Sequence, residues 1–275
     1  MKLDNDSSNT IKSYIADVEK MLVYLNKEPT ELNRMDIVGY INYLEGIELN
    51  AKTVNRKIYA IYKLIQFLNS EHNLNLNFNI KKSKMRIAKQ EYGINILSKT
   101  DFKRILNASI KDENIVFTTL LITLYLTGMR ISEALSIKVK DIKRNEILVI
   151  GKGRKQRCVP IPDDLKKRFK EYISMRGASK CEYLFINKER ASRMTPWMAD
   201  YWIKKYASQT KVELKKAHCH NIRHLFCYIC LNERGMSINE LAQIAGHSDI
   251  NVTKGYTLKT RKQLLQDVKS FKLDL

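Results

Sequence analysis

"IVFTTLLITLYLTGMRISEAL", residues 115–135, decides the fold. Its first twelve residues are apolar all round, so a helix built from them has to be buried on every side. Gly128 ends that helix, because glycine accepts the left-handed backbone that closes a helix C-terminus. "ISEAL" then begins a new helix, which puts Arg130 at its threshold beside backbone N–H groups that favour an anion. An arginine at such a place can equally be an ordinary surface residue. The run from Ile115 to Met129 is broken by threonines and is too short to span a bilayer.

Upstream, residues 1–80 read as a small helical domain. In "TIKSYIADVEKMLVYL" Ile11, Tyr14, Ile15, Val18, Met21, Leu22 and Leu25 follow helical spacing, and "MDIVGYINYLE" repeats the pattern. "TVNRKIYAIYKLIQFL" carries a stripe of Ile58, Ile61, Leu64, Ile65 and Leu68. Residues 81–97 read as a basic linker with Lys81, Lys82, Lys84, Arg86 and Lys89. That charge suits contact with a phosphate backbone or a plain solvated tether.

Downstream, residues 98–275 are mixed. Ser98 or Thr100 caps a helix over "SKTDFKRILNAS". "EILVI" and "RCVPI" flank "GKGRKQ", a hairpin signature. Ser237 with Glu240 forms a capping box that opens "INELAQIA", which Gly246 ends. Ser248 can cap one more short helix carrying Tyr256. The fold class is therefore α+β, mainly α with a small β-sheet.

Charge is the informative bulk property. The 275 residues hold 49 Lys+Arg against 29 Asp+Glu, a net +20, with a pI near 9.7. Residues 1–80 carry 9 basic and 10 acidic side chains, leaving 40 basic and 19 acidic for residues 81–275. A surplus concentrated in one part points to a polyanion, nucleic acid first, against a basic surface that only aids solubility. The start, "MKLDNDSSN", has no apolar signal-peptide core, so the expectation is a cytoplasmic, nucleoid-associated protein with no membrane partner. Five cysteines then read as free thiols.

Chemistry-bearing residues gather in the larger part. Lys152 projects from the glycine turn "GKGRKQR", alone a weak signal. In "HCHNIRH" His220 and Arg223 share a helical face. Zinc is an alternative there, since Cys219, Cys227 and Cys230 are near, but no second pair falls at a structural-site spacing. "LFCYICL" also suits a buried helix in which cysteine is a small hydrophobe.

Arg130, Lys152, His220, Arg223, His247 and Tyr256 make one chemical set. The sequence has no phosphate-loop motif and no carboxylate cluster for a metal. Phosphodiester cleavage then needs fixed cations, and two arginines can hold the non-bridging oxygens. A tyrosine is only about 0.1% ionised at pH 7, a deficit of roughly 4 kcal/mol, so it needs a base or a cationic cradle. The set is complete for a metal-free transesterification with no cofactor.

"LTGMRISEAL", "VIGKGRKQRCVPI", "HNIRH", "AGHSD" and "GYT" resemble the motifs of the tyrosine site-specific recombinases of the phage-integrase family, compact Xer-type and transposon-encoded members above all. The resemblance covers nearly the whole chain. It implies a helical core-binding (SAM-like) domain over 1–80, a catalytic domain over 98–275, and a C-shaped clamp on double-stranded DNA. It makes Tyr256 the nucleophile, giving a 3′-phosphotyrosyl link and a free 5′-OH. Arg130 and Arg223 clamp the phosphate, Lys152 is the general acid, His220 assists proton transfer, and His247 bonds the phosphate. Glu133 and His224 support the site, and Arg154 and Lys155 join the basic linker as DNA contacts. Two rounds of exchange through a four-way junction, in a homotetramer on paired sites, would resolve, integrate or excise a mobile element or replicon. An accessory or partner recombinase is compatible with this. The tail "RKQLLQDVKSFKLDL" is an exchange helix in this reading, docking on a neighbouring subunit or on its own domain.

Two other readings compete. A type IB topoisomerase uses similar groups to relax DNA by rotation. A non-catalytic binder would use "ISEALSIKVKDI" as the start of a helix-turn-helix, but it leaves the other five residues without a shared purpose.

Overall fold

The computed structural model describes residues 8–77, 79, 96–151, 156–187 and 189–246. The basic segment with Lys81, Lys82, Lys84, Arg86 and Lys89, the turn with Lys152, Arg154 and Lys155, and the C-terminal stretch with His247, Ser248, Tyr256 and the tail lie outside the described residues. The chain divides into two compact units, Met1–Gln90 and Glu91–Leu275.

Among the described residues the first unit holds three α-helices: α1 (Ser8–Leu25), α2 (Arg34–Gly46) and α3 (Ala51–His72). Asn33 caps α2 by accepting from the N–H groups of Met35 and Asp36, while Asp36 accepts from the Asn33 N–H in return. The α3 stripe Ile58, Ile61, Leu64, Ile65 and Leu68 is buried against Val18 and Met21 of α1 and Ile37, Tyr40, Ile41 and Leu44 of α2. Each such side chain contributes about 1.5–3 kcal/mol on burial. The α1 stripe is narrower than the sequence spacing suggests, since Ile15 is exposed. Its neighbour Asp17 is buried instead and is paired with Arg56 and Lys57 of α3. A buried charge has to meet an opposite charge, and this pairing joins α1 to α3.

The second unit is built around α5 (Ile115–Thr127), whose Phe117, Leu120, Leu121 and Leu124 are fully buried. α4 (Lys99–Lys111), α7 (Asp163–Arg176) and α9 (Cys219–Asn232) pack on it from different sides. Two of its buried threonines, Thr123 and Thr127, are accommodated by local bonds. Thr123 donates to the Thr119 carbonyl at 2.8 Å and Thr127 to the Thr123 carbonyl at 2.6 Å. Gly128 ends the helix with φ +60°, and a Cβ there would lie 2.2 Å from the Phe226 ring. Ser98 caps α4, accepting from the Asp101 N–H at 3.0 Å.

After Gly128 the chain makes a single helical turn, α6 (Ile131–Ala134). It does not continue as a helix-turn-helix. Leu135 and Ile137 are buried, Lys138 forms a bridge with Tyr183, and a 3-10 turn follows at Val139–Lys143. Core burial and this pairing divert the backbone before a second helix can form.

β1 (Glu146–Ile150) and β2 (Gln156–Pro160) pair antiparallel, with Ile150 opposite Gln156 and Val149 opposite Arg157. β3 (Ile186–Asn187) and β4 (Ser192–Arg193) form a second short pair. α8 (Pro196–Gln209) is capped by Thr195, which accepts from the Met198 N–H at 3.3 Å. α10 (Ile238–Ala245) opens on the Ser237–Glu240 capping box and ends at Gly246, φ +65°. It packs on α9 and on β2, with Leu241 and Ala245 against Phe226, Cys227 and Cys230. Those two cysteines thus serve as small core hydrophobes. All five cysteines are free thiols. Among the described residues no helix is long and apolar enough to cross a membrane.

Candidate active site

Arg130 is the N-cap residue of α6, so its backbone is extended and its side chain leaves the helix at the first turn. Its N–H donates to Glu133 Oε2 at 2.8 Å and its Nη1 to Glu133 Oε1 at 2.9 Å. Its Nη2 donates to the Gly246 carbonyl at 2.9 Å. One third of the side chain remains open to solvent (32%).

Arg223 comes from the first turns of α9 and is 1% exposed. Its Nη1 donates to the Gly128 carbonyl at 2.8 Å and its Nη2 to the Ala245 carbonyl at 2.5 Å. Burial, and then the charge on Arg130, lowers its pKa to about 10. It therefore stays a cation at neutral pH.

Glu133 sits between these groups and is 4% exposed. Burial alone would raise its pKa. The hydrogen bonds from Arg157 and Arg130 outweigh that and hold the carboxyl below the ordinary glutamate value. Arg157 provides a forked contact, Nη1 to Oε1 at 2.8 Å and Nη2 to Oε2 at 2.7 Å. Its Nε donates to the Ile244 carbonyl at 3.0 Å.

Three arginines from separate elements therefore bond three successive carbonyls, Ile244, Ala245 and Gly246, at the end of α10. A helix C-terminus exposes unpaired carbonyls and a partial negative charge, so cations converge there. The same cluster leaves three positive charges beside one carboxylate, a net cationic site.

His220 lies one turn before Arg223 on α9. Although the residue remains open to solvent, the protein packed around it, and then Arg223 and Arg130, lower its pKa. The imidazole is neutral at pH 7 and can accept a proton. His224 meets it edge to face, with ring centroids 4.3 Å apart. Among the described residues no group of three or more His, Cys, Asp or Glu side chains is placed to hold a metal ion.

The structure thus brings together Arg130, Glu133, His220, Arg223 and His224. Lys152, His247 and Tyr256 belong to the undescribed residues, although β1 and β2 bracket the turn containing Lys152, and His247 directly follows Gly246. Arg157 is the residue sequence reasoning missed. Its signal is strand alternation: Arg157 shares a face with buried Val159 while Gln156, Cys158 and Pro160 face outward. An arginine on an inward face needs an acid.

Comparison with known proteins shows the family. The Phage integrase family matches residues 95–263, a stretch that includes all six residues from Arg130 to Tyr256, and the Phage integrase N-terminal SAM-like domain matches residues 2–72. The chain is 30% identical to the TnP I resolvase of Bacillus thuringiensis, covering 96% of this chain and 94% of that one. It is 31% identical to tyrosine recombinase XerD of Rickettsia bellii, covering 91% and 88%. Its fold is similar to that of XerH site-specific recombinase bound to a palindromic difH substrate, a post-cleavage complex, with TM-score 0.76 at 20% identity over 94% of this chain and 79% of that one. Its motifs, the arginine cluster they build and these matches lead to one conclusion: the chain belongs to the phage integrase family, the tyrosine recombinases, enzymes that catalyse site-specific DNA strand exchange.

Proposed function

We propose that Tyr256 cuts one DNA strand at a time, with Arg130 and Arg223 as the clamp on the scissile phosphate. The tyrosine oxygen forms a bond to phosphorus as the bond to the 5′ oxygen breaks. The phenolic proton leaves, with His220 assisting, and Lys152 gives a proton to the departing 5′ oxygen. His247 bonds the phosphate. The phosphotyrosyl link conserves the bond energy, so a partner strand's 5′-OH can reverse the step without ATP. One observation carries this reading: Arg130 and Arg223 meet at the end of α10, with His220 one helical turn before Arg223, and His247 and then Tyr256 follow α10 in the sequence.

Double-stranded DNA is the substrate, held by the helical N-terminal part, the basic segment 81–97 and the catalytic part from 98 onward. The +20 net charge supports a strongly salt-dependent contact with the backbone. Four copies on two paired sites would exchange strands at the nucleoid, in resolution, integration or excision of a mobile element or replicon. Lys81, Lys82, Lys84, Arg86, Lys89, Arg154 and Lys155 are the candidate phosphate contacts, and His224 packs behind His220.

The test is covalent trapping on nicked DNA fragments from around the protein's own gene, denatured in detergent and compared with Tyr256→Phe. An adduct formed only by the native protein supports the assignment, and sequencing the trapped DNA gives the site. An adduct that survives the substitution refutes it. Relaxation of a supercoiled circle carrying one such site, with no exchange between two, would move the reading to a topoisomerase.

A further inference from the structure

Arg157 is tied into the site more tightly than its place on a hairpin strand requires. Its fork holds both oxygens of Glu133, its Nε holds the Ile244 carbonyl, and its side chain is 12% exposed. Gly246 lies against it: a Cβ there would come within 2.7 Å of Nη1 and 2.8 Å of Cδ. The side chain therefore links three things. One is β2, which leads out of the turn containing Lys152. The second is the carboxylate that holds Arg130. The third is the end of α10, whose next two carbonyls hold Arg223 and Arg130.

We propose that Arg157 is a positioning residue for strand cleavage, fixing the Arg130 and Arg223 guanidiniums at the spacing the scissile phosphate requires. This rests on the clamp reading above. The reason is geometric. Arg130 also holds both Glu133 oxygens, but one of its two bonds comes from the backbone N–H, so its guanidinium meets the carboxylate only through Nη1. The forked contact from Arg157 adds a second bond to each oxygen, and its third bond ties the same guanidinium to α10, whose next two carbonyls hold Arg223 and Arg130. Lysine has the charge but not the fork.

The experiment measures the rate of covalent adduct formation on a nicked duplex carrying the site recovered by adduct sequencing. Two versions are compared, one with the normal scissile phosphate and one with a methylphosphonate there. The methyl group replaces a charged non-bridging oxygen, so less charge has to be neutralised and a misplaced arginine matters less. Arg157→Leu should slow the phosphate reaction about 100-fold, the order expected for a displacement near 1 Å. The loss should be much smaller on methylphosphonate, as for the control Arg130→Gln. Arg157→Lys should fall between Arg157→Leu and the native protein. Comparing both DNAs with one preparation cancels any change in the folded fraction.

Equal losses on both DNAs, with Arg130→Gln still rescued, would make Arg157 a plain structural residue and overturn the proposal. A native rate for Arg157→Leu would overturn it as well. Failure of methylphosphonate to rescue Arg130→Gln would sink the clamp reading first, and this inference with it.

Discussion

Glu133→Gln is the most informative perturbation of stability. The native carboxylate is buried, and each of its oxygens accepts two N–H bonds, one from Arg130 and one from Arg157 at 2.7–2.9 Å. Glutamine keeps the shape but removes the one carboxylate that, among the described residues, faces the three guanidiniums. It also turns an amide donor toward the Arg157 donors. Breaking one side of a buried ion pair costs about 3–5 kcal/mol, and the partial exposure of Arg130 favours the lower end, about 3 kcal/mol. For a unit the size of Glu91–Leu275, each kcal/mol moves Tm by roughly 2–4 °C. The expected fall is therefore about 6–12 °C. The pH dependence carries a sign. The Glu133 carboxyl is held below its ordinary value, so its contribution is complete above the unfolded pKa of about 4.3 and is lost as pH falls through the folded pKa. Differential scanning calorimetry should show the widest gap between native protein and Glu133→Gln at pH 7, narrowing below about pH 4. A gap under about 2 °C at pH 7, or one that grows on acidification, would refute this account of the arginine cluster.

Three further outcomes are expected. Gly128→Ala places a side chain at φ +60° and against the Phe226 ring, so chemical denaturation should show a loss of about 2–4 kcal/mol, partly recovered by Phe226→Leu. Arg130→Gln removes a positive charge that depresses His220, so an NMR titration should place the His220 pKa higher than in the native protein. An equal or lower value would remove Arg130 from that environment. Ser237→Ala deletes the cap of α10 at a cost of about 1 kcal/mol, read as faster amide exchange in that helix.

Local patterns in the sequence made much of the fold legible, and the residues that carried them are specific. The α3 stripe, the all-apolar α5 ending at Gly128, the glycine turn between two short strands and the Ser237–Glu240 box each encode their element within a few residues. Where the reading was off, a distant contact decided. Ile15 has helical spacing yet faces solvent, because Asp17 turns inward to Arg56 and Lys57, some forty residues on. "ISEALSIKVKDI" has helical character yet stops after one turn, because Leu135 and Ile137 enter the core. The same limit explains the site. Arg130 and Arg223 were found because each sits in a recognisable local motif. Two of the groups they bond, the carbonyls of Gly246 and Gly128, are 116 and 95 residues away in sequence, and no local pattern announces them.

Arg157 shows what such an omission hides. It lacks a motif of its own, and its charge merges with a basic turn that reads as a surface for DNA. Only the pairing of β2 with β1 turns it toward Glu133, 24 residues earlier. A strand that carried the same residue one position along would point it to solvent, since side chains alternate with a period of two. The hairpin register thus decides whether Arg157 meets Glu133. It sets Arg157 inward, against Glu133 and the end of α10, while Gln156 and Cys158 on either side of it face solvent.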